Sequence, residues 1–309
     1  MRATVIVNPI TGRGQGRQML PTIEAQLRAQ GIDYALTVTQ RPGHARELAQ
    51  AAVAEGVDVV VAAGGDGTVN EVVNGLIAAA QATGEWQAGK PAGTLGVIPI
   101  GSGNDFAFAL GLRSHDIPGA VARIAAGQEH VVDLAHVADD RGVELFFCNN
   151  LGSGFYAAVN IEARKIKRLR GFFIYFVALL RTVALYYRTP LAHIQAGLSH
   201  LTQPVIMASI ANGPRTGGGF LMAPRASITD GLLDLCVAGQ VSRLGILGLV
   251  PHFIRGTHED KPQVQMLRAD HIVIEVTNGL PVHVDGEVFH TAAHRLDVCL
   301  WPRRLRVFA

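Results

Sequence analysis

The chain has 309 residues, of which 49% are hydrophobic and 17% are charged, and its formal net charge is +2. This length and apolar content predict a globular protein of two domains, and the near-neutral charge argues against bulk binding to nucleic acid. The N-terminus lacks a signal-peptide pattern, the three cysteines are scattered, and every apolar run is shorter than the roughly 20 residues needed to span a bilayer. We therefore expect a soluble cytoplasmic protein without a transmembrane segment.

The first predicted strand runs from Ala3 to Val7 and ends at Asn8-Pro9. The next residues, 10–17, alternate glycine with basic and hydroxyl side chains, a pattern that fits a phosphate-facing loop and a flexible surface turn equally well. A second strand, Tyr34 to Thr39, precedes a helix. Thr39 is a ligand candidate because open α/β sheets bind ligands at the carboxyl ends of their strands.

The stretch around which the chain is organised is the β-branched run from Val57 to Ala63, followed by Gly64-Gly65-Asp66-Gly67-Thr68 and an amphipathic helix. Glycines let the backbone approach a ligand, and the helix N-terminus favours an anion, so this junction predicts a phosphate site. A carboxylate beside a phosphate needs a cation or a hydroxyl donor between them, which makes Asp66 a candidate for Mg²⁺. The alternative is a plain turn in which Asp66 caps a helix.

A further strand, Thr94 to Pro99, ends in another glycine turn that carries Ser102, Asn104 and Asp105. These side chains offer a hydroxyl, an amide and a carboxylate, although Asn104 or Asp105 could instead cap the next helix. The repeated alternation of strand and helix predicts a parallel sheet with helices on both faces.

From Val131 onward strand-like runs dominate, which predicts an antiparallel sheet or sandwich in the second half. The exception is residues 160–188, where Arg164, Lys165, Lys167, Arg168 and Arg170 precede an apolar run at 172–180. We expect most of this apolar run to be core and the basic cluster to contact an anionic membrane. Arg181 argues against a spanning helix.

Motifs along nearly the whole chain resemble those of the diacylglycerol-kinase-like lipid kinases, a family that includes bacterial soluble lipid kinases and the sphingosine and ceramide kinases. The resemblance lies in Asn8-Pro9 with Gly12, the Gly64 to Val72 run, Asn104-Asp105-Phe106-Ala107, Ala211-Asn212-Gly213, Asp230-Gly231-Leu232-Leu233-Asp234 and Asp285-Gly286-Glu287. It implies an α/β nucleotide-binding domain of the NAD kinase and diacylglycerol kinase type at 1–128, and a mainly antiparallel β domain for the lipid substrate at 129–295. By the same analogy, the last strands at about 296–309 return to the first domain.

The resemblance also implies an activity, the transfer of the γ-phosphate of ATP to a lipid hydroxyl with Mg²⁺. We expect Glu287, supported by Asp285, to act as the base, and Asp66 to position Mg²⁺. In the similar kinases a structural metal lies at positions matching Ser227, Asp230 and Leu232, although an Asp-Gly turn explains the same residues. The residues expected to hold the nucleotide are Asn8, Pro9, Thr11, Gly12, Arg13, Thr39, Gly64, Gly65, Asp66, Gly67, Thr68, Asn70, Glu71, Ser102, Asn104 and Asp105.

The chain departs from the family pattern at two places. Its phosphate turn reads Gly101-Ser102-Gly103-Asn104-Asp105 where the family usually has Gly-Thr-x-Asn-Asp, so Ser102 replaces the threonine and retains a hydroxyl. Tyr156 stands where related sequences often carry an aspartate. Two other functions stay open: an NAD kinase, and a non-catalytic regulatory protein that binds lipid. The sequence names neither the acceptor, which could be diacylglycerol, phosphatidylglycerol or a sphingoid base, nor the oligomeric state, and a homodimer stays open.

Overall fold

The computed structural model describes residues 1–166 and 172–308, and the chain divides into two compact units. Unit 1 comprises Met1–Leu134 together with the C-terminal residues from Pro302, and unit 2 comprises Ala135–Trp301. The predicted domain limits at 128 and 295 lie a few residues before these boundaries.

Unit 1 is built on a parallel sheet in the order β2-β1-β3-β4. Residues Arg306 to Phe308, near the C-terminus, add a further parallel strand beside β4. Its elements are β1 (Arg2–Val7), α1 (Thr11–Ala29), β2 (Asp33–Val38), α2 (His44–Ala54), β3 (Val59–Gly64), α3 (Asp66–Ala82), β4 (Thr94–Pro99), α4 (Asp105–Ala109), α5 (Ile117–Ala126) and β5 (Glu129–Asp139), whose second half lies in unit 2.

Burial explains why unit 1 folds as a layered α/β sheet. Every residue of β3 and β4 is buried, as expected for strands covered by helices on both faces. Helix α2 packs on α3, and α1 packs on α5. The predicted parallel α/β architecture of the N-terminal half is confirmed.

Unit 2 is antiparallel, in the strand order β11-β10-β9-β7-β12-β13, with β8 paired to both β12 and β9 and β6 paired to β5. This confirms the predicted antiparallel C-terminal half. Its remaining elements are β6 (Glu144–Phe147), β7 (Asn150–Gly154), α6 (Phe155–Lys165), α7 (Phe172–Leu185), β8 (Leu191–Ala196), β9 (Ser199–Ala211), β10 (Leu233–Gly239), α8 (Arg243–Arg255), β11 (Val264–Ala269), β12 (His271–Val284) and β13 (Glu287–Phe308), whose residues from Pro302 belong to unit 1.

The helices of unit 2 pack on β9 and β10 through an apolar cluster, which includes Val159 of α6, Leu179 of α7 and Leu249 of α8. The expectation that most of the apolar run 172–180 is core is therefore right for one face of α7 only. Phe173, at 67% exposure, Phe176 and Leu180 are exposed on the other face.

The sequence prediction also placed basic residues before α7, and Lys167, Arg168 and Arg170 of that group lie outside the described residues. Within the described ranges, none of the helices combines the length and apolar character needed to cross a bilayer.

Candidate active site

Three loops of unit 1 lie together because they follow neighbouring parallel strands. Val7 of β1 is in register with Ala63 of β3, and Gly64 of β3 is in register with Pro99 of β4. The loop after β4 is held against β3 by the amides of Ile100 and Gly101, which both donate to the Gly64 carbonyl at 3.1 Å. The predicted phosphate turns therefore share one edge of the sheet.

Small residues allow these loops to touch. A methyl group at Gly101 would overlap the α-carbon of Gly65, so the second and third loops meet backbone to backbone. The side chain of Asn104 closes the third loop: its Oδ1 accepts from the Gly101 amide and its Nδ2 donates to the Gly101 carbonyl, both at 2.9 Å. Asn8 ties the first loop to the second by donating from Nδ2 to Thr68 Oγ1 at 3.0 Å.

Asp66 lies in the first turn of α3 but caps another helix. Its Oδ1 accepts from the backbone amides of Asp105 and Phe106, at 2.7 and 3.0 Å, which are the first N–H groups of α4. Its Oδ2 and the Oδ2 of Asp105 both face Gly103, since a methyl group there would lie 2.8 Å from the former and 3.2 Å from the latter. Two carboxylate oxygens thus flank a space that only glycine leaves open, and this is the ligand type that Mg²⁺ prefers.

The remaining predicted nucleotide residues of α3 have structural contacts. The two carboxylate oxygens of Glu71 accept from the amides of Gly43 and Ala45, at 2.9 and 3.0 Å, and so cap the N-terminus of α2. Asn70 is buried and accepts at Oδ1 from Asn74 Nδ2 at 3.3 Å. These contacts account for both residues within the fold, and their contact with a nucleotide stays a prediction.

The loop predicted at 10–17 is wrong, because α1 begins at Thr11 and residues 11–17 are helical. Gly12 there has φ +56°, a conformation that glycine adopts at little cost. The side chain of Arg13 lies outside the described part of the structure. The amide of Thr39 donates to the Val7 carbonyl at 2.9 Å, so Thr39 lies at the same edge of the sheet. Pro9, which follows β1, is half-buried.

In unit 2 the two carboxylates of the Asp-Gly-Glu turn have different environments. Asp285 is buried and accepts three backbone amides, from Cys148 and Asn149 at 3.1 Å and from Asn150 at 2.9 Å. Glu287 is exposed and pairs with Arg164 at 2.5 Å. Asp285 therefore fixes the turn from inside, and Glu287 presents a carboxylate to solvent.

An aromatic pair lies beneath this turn. The ring of Tyr156, the residue that departs from the family pattern, meets His283 edge-on at a centroid distance of 4.3 Å, and its hydroxyl bonds the Thr216 hydroxyl. His283 is fully buried, and neither ring nitrogen has a hydrogen-bond partner among the described residues. Burial, with a smaller contribution from the positive charge of Arg164, lowers the pKa of His283 to about 3, so the imidazole is neutral.

An apolar cavity of about 80 Å³ is lined in part by Tyr156 of this pair. Its lining is almost entirely apolar and comes from α6, α7, α8, β9 and the segment between β9 and β10: Phe155, Leu179, Met207, Met222, Leu249 and Phe253. Its environment suits a hydrocarbon group, although its volume is below the roughly 300 Å³ at which small-molecule pockets begin.

The residues predicted to hold a structural metal make contacts with the protein itself. The guanidinium of Arg268 already pairs with Asp230, and its Nε lies 3.2 Å from Asp234. Asp230 Oδ1 also accepts the Leu232 amide at 3.1 Å, while Ser227 Oγ bonds Thr229. An Asp-Gly turn leading into a strand accounts for these contacts, and the metal at Ser227, Asp230 and Leu232 stays a prediction.

Sequence reasoning missed the groups that hold the predicted carboxylates. The backbone amides of residues 148–150 donate to the Asp285 carboxylate, and no sequence motif marks backbone amides as hydrogen-bond donors to a distant side chain. Arg164 was noticed only as part of a basic cluster, and its position in the last turn of α6 gave no sign of its contact with Glu287.

Comparison with known proteins accounts for both halves of the chain. The diacylglycerol kinase catalytic domain matches residues 2–137, and the YegS C-terminal NAD kinase beta sandwich-like domain matches residues 149–309. The chain is 31% identical to a diacylglycerol kinase of Mycobacterium tuberculosis over 93% of its own length and 88% of that protein. It is also 31% identical to a diacylglycerol kinase of Staphylococcus aureus, over 93% and 86% of the two chains.

A solved structure of a diacylglycerol kinase from Bacillus anthracis superposes with a TM-score of 0.73 at 24% identity, covering 99% of this chain and 96% of the other. At that identity the likeness supports the fold alone. The family matches and the curated relatives together show that the chain belongs to the diacylglycerol kinase family and is a kinase, that is, a phosphotransferase.

Proposed function

We propose that this protein transfers the γ-phosphate of ATP to the hydroxyl group of a lipid, namely diacylglycerol or a related lipid such as phosphatidylglycerol or a sphingoid base. The observation that carries the proposal is that three glycine-bearing segments, the start of α1 and the turns after β3 and β4, meet at one edge of the parallel sheet in unit 1. Carboxyl edges of such sheets bind ligands, and a helix N-terminus there attracts phosphate. Family membership adds that the phosphate is transferred to an acceptor.

The ATP phosphates would lie against the segments at 8–12, 64–68 and 100–105, which include the first residues of α1 and α3. Helix α3 begins at Asp66, directly after Gly65, so its positive dipole end faces this edge. Backbone groups and the helix dipole attract the phosphates, and the exposed hydroxyl of Ser102 can donate to them.

Asp66 and Asp105 would hold Mg²⁺ in the space beside Gly103. Kinase sites bind this ion through one or two carboxylates and the phosphates of the substrate, which is consistent with a donor set of two. When bound, the ion neutralises charge on the β- and γ-phosphates.

On the acceptor side, Glu287 would take the proton of the lipid hydroxyl as that oxygen attacks the γ-phosphorus, with ADP as the leaving group. Asp285 supports Glu287 by fixing the turn between them. The apolar cavity of unit 2 would receive part of a lipid chain, and its volume would have to increase for a full chain to enter.

A lipid acceptor implies work at a membrane surface, and we propose peripheral binding to the cytoplasmic face. The exposed face of α7 supports this proposal, because Phe173, Phe176 and Leu180 recur at helical spacing. Arg181 and Arg188 are exposed nearby in sequence, so apolar and basic groups occur together as in helices that lie on anionic membranes.

An acceptor screen tests the proposal. The protein is incubated with γ-labelled ATP, Mg²⁺ and separate pools of diacylglycerol, phosphatidylglycerol, sphingoid base and NAD, with an Asp66→Asn variant as the control. We expect label in one lipid pool and loss of that label in the variant. Label in NAD alone would instead identify an NAD kinase, and label in no pool would support a non-catalytic lipid-binding protein.

A further inference from the structure

Arg164, at the end of α6, holds the turn that carries Glu287. Its Nη2 donates to the Gly286 carbonyl at 2.8 Å and lies 2.5 Å from Glu287 Oε2. One guanidinium nitrogen thus contacts both the backbone of the turn and the carboxylate that follows it. Arg164 itself is placed by α6, which packs on α7 and β7.

Without this contact the side chain of Glu287 would have no fixed direction. Asp285 and Gly286 form a two-residue turn with φ of +46° and +82°, and Glu287 is the first residue after it. Its side chain is 58% exposed, and Arg164 is its sole ion-pair partner among the described residues. A solvated glutamate samples many rotamers, whereas a general base must lie within hydrogen-bond reach of its proton.

We propose that Arg164 is a positioning residue for phosphoryl transfer, which acts by holding the Glu287 carboxylate in place. This inference rests on the proposed function, in which Glu287 is the base. In the reaction the O–H bond of the lipid breaks and its proton passes to Glu287. A bond forms between that oxygen and the γ-phosphorus, and the bond from the γ-phosphorus to the bridging oxygen of ADP breaks.

The second contact of Arg164 matters at that moment. Glu287 loses its charge when it accepts the proton, and the ion pair weakens. The bond from Arg164 to the Gly286 carbonyl does not depend on that charge, so the guanidinium stays in place and can pair with Glu287 again after the proton leaves. A fixed partner of this kind keeps the carboxylate oriented from one turnover to the next.

Replacing Arg164 should not unfold the protein, because both partners of this ion pair are about half exposed and such pairs contribute little to stability. The experiment therefore compares Arg164→Gln and Arg164→Lys with Arg295→Gln, which removes an exposed arginine that pairs with Glu275 and Asp297 in the same unit. Lipid phosphorylation by each variant is measured at saturating and limiting ATP. The same variants are then made in a protein that also carries Glu287→Gln.

We expect Arg164→Gln to lower kcat about 10- to 100-fold, the range for a misplaced catalytic group, with KM for ATP unchanged. Arg164→Lys should recover part of the loss, and Arg295→Gln should match the parent. In the Glu287→Gln background, Arg164→Gln should cause no further loss.

A parental kcat in Arg164→Gln, or an equal loss with and without Glu287, would overturn the positioning role alone. A parental rate in Glu287→Gln itself would instead overturn the proposed base, and the inference with it. The two failures are therefore distinguishable.

Discussion

The buried carboxylate of Asp285 offers a sharp test of how the turn before Glu287 is held. An Asp285→Asn substitution keeps the shape of the side chain, and asparagine tolerates the φ of +46° as well as aspartate does. It removes the charge that three backbone amides share, and it places an amide group opposite the N–H of one of them.

The expected cost follows from those three hydrogen bonds. A bond to a charged group contributes about 1.5–3 kcal/mol and a neutral one about 0.5–1.5 kcal/mol, so two weakened bonds cost about 2 kcal/mol together. The third amide loses its acceptor in a buried position, which costs about 1–3 kcal/mol more. The substitution should thus destabilise unit 2 by about 3–5 kcal/mol, and a slope of about 2 kcal/mol per molar urea converts this to a midpoint about 2 M lower.

Urea unfolding followed by tryptophan fluorescence measures this shift. Trp86 belongs to unit 1 and Trp301 to unit 2, so a Trp86→Phe background lets Trp301 report on its own unit. Asp270→Asn, at an exposed aspartate of unit 2, is the matched control. A midpoint for Asp285→Asn within about 0.3 M of the parent would refute the reasoning, because the three amides would then not depend on the charge.

Three further predictions concern the metal, the buried histidine and the membrane. Gly103→Ala should raise the Mg²⁺ concentration for half-maximal activity about tenfold, because the added methyl group would displace Asp66 Oδ2. Gly248→Ala is the control: its methyl group would contact no atom within 4 Å, and this Mg²⁺ concentration should stay unchanged. Between pH 6.5 and about 3, His283 is protonated in the unfolded chain but not in the folded protein. The free energy of unfolding should therefore fall as the pH falls, by about 2 kcal/mol from pH 6.5 to 5. Urea unfolding at different pH values should show no such contribution in His283→Phe. Replacing both Phe173 and Leu180 with serine should weaken binding to anionic vesicles, measured by co-sedimentation, about 100-fold, because burial of each side chain in the bilayer contributes about 1.5 kcal/mol or more. The unfolding midpoint should stay unchanged because both side chains are exposed.

Much of unit 1 is predictable because its signals are local. A β-branched run followed by glycines and an amphipathic run specifies strand, turn and helix, and the run at 57–71 indeed gives β3 and α3. The meeting of the loops at one edge follows from parallel pairing and needs no further information. The antiparallel character of the second half follows in the same way from its many short strands.

The distant partners of the polar residues could not be predicted. Asp66 caps α4 and Glu71 caps α2, and each contact joins positions that are far apart in the sequence. The apolar run of α7 misled because composition reports hydrophobicity and not which face is covered. Most of the run was expected to be core, although Phe173, Phe176 and Leu180 are exposed. Helix α8 was overlooked because strand-like runs surround it in the sequence.

The most direct test of the central claim is the rate at which label passes from γ-labelled ATP to the lipid acceptor in the parent protein and in Glu287→Gln, at equal unfolding midpoints. The account predicts transfer by the parent and a rate lower by about 100-fold or more in the variant, as is typical when a general base is removed. Equal rates of lipid labelling by the two proteins, or an absence of lipid labelling by the parent, would contradict it.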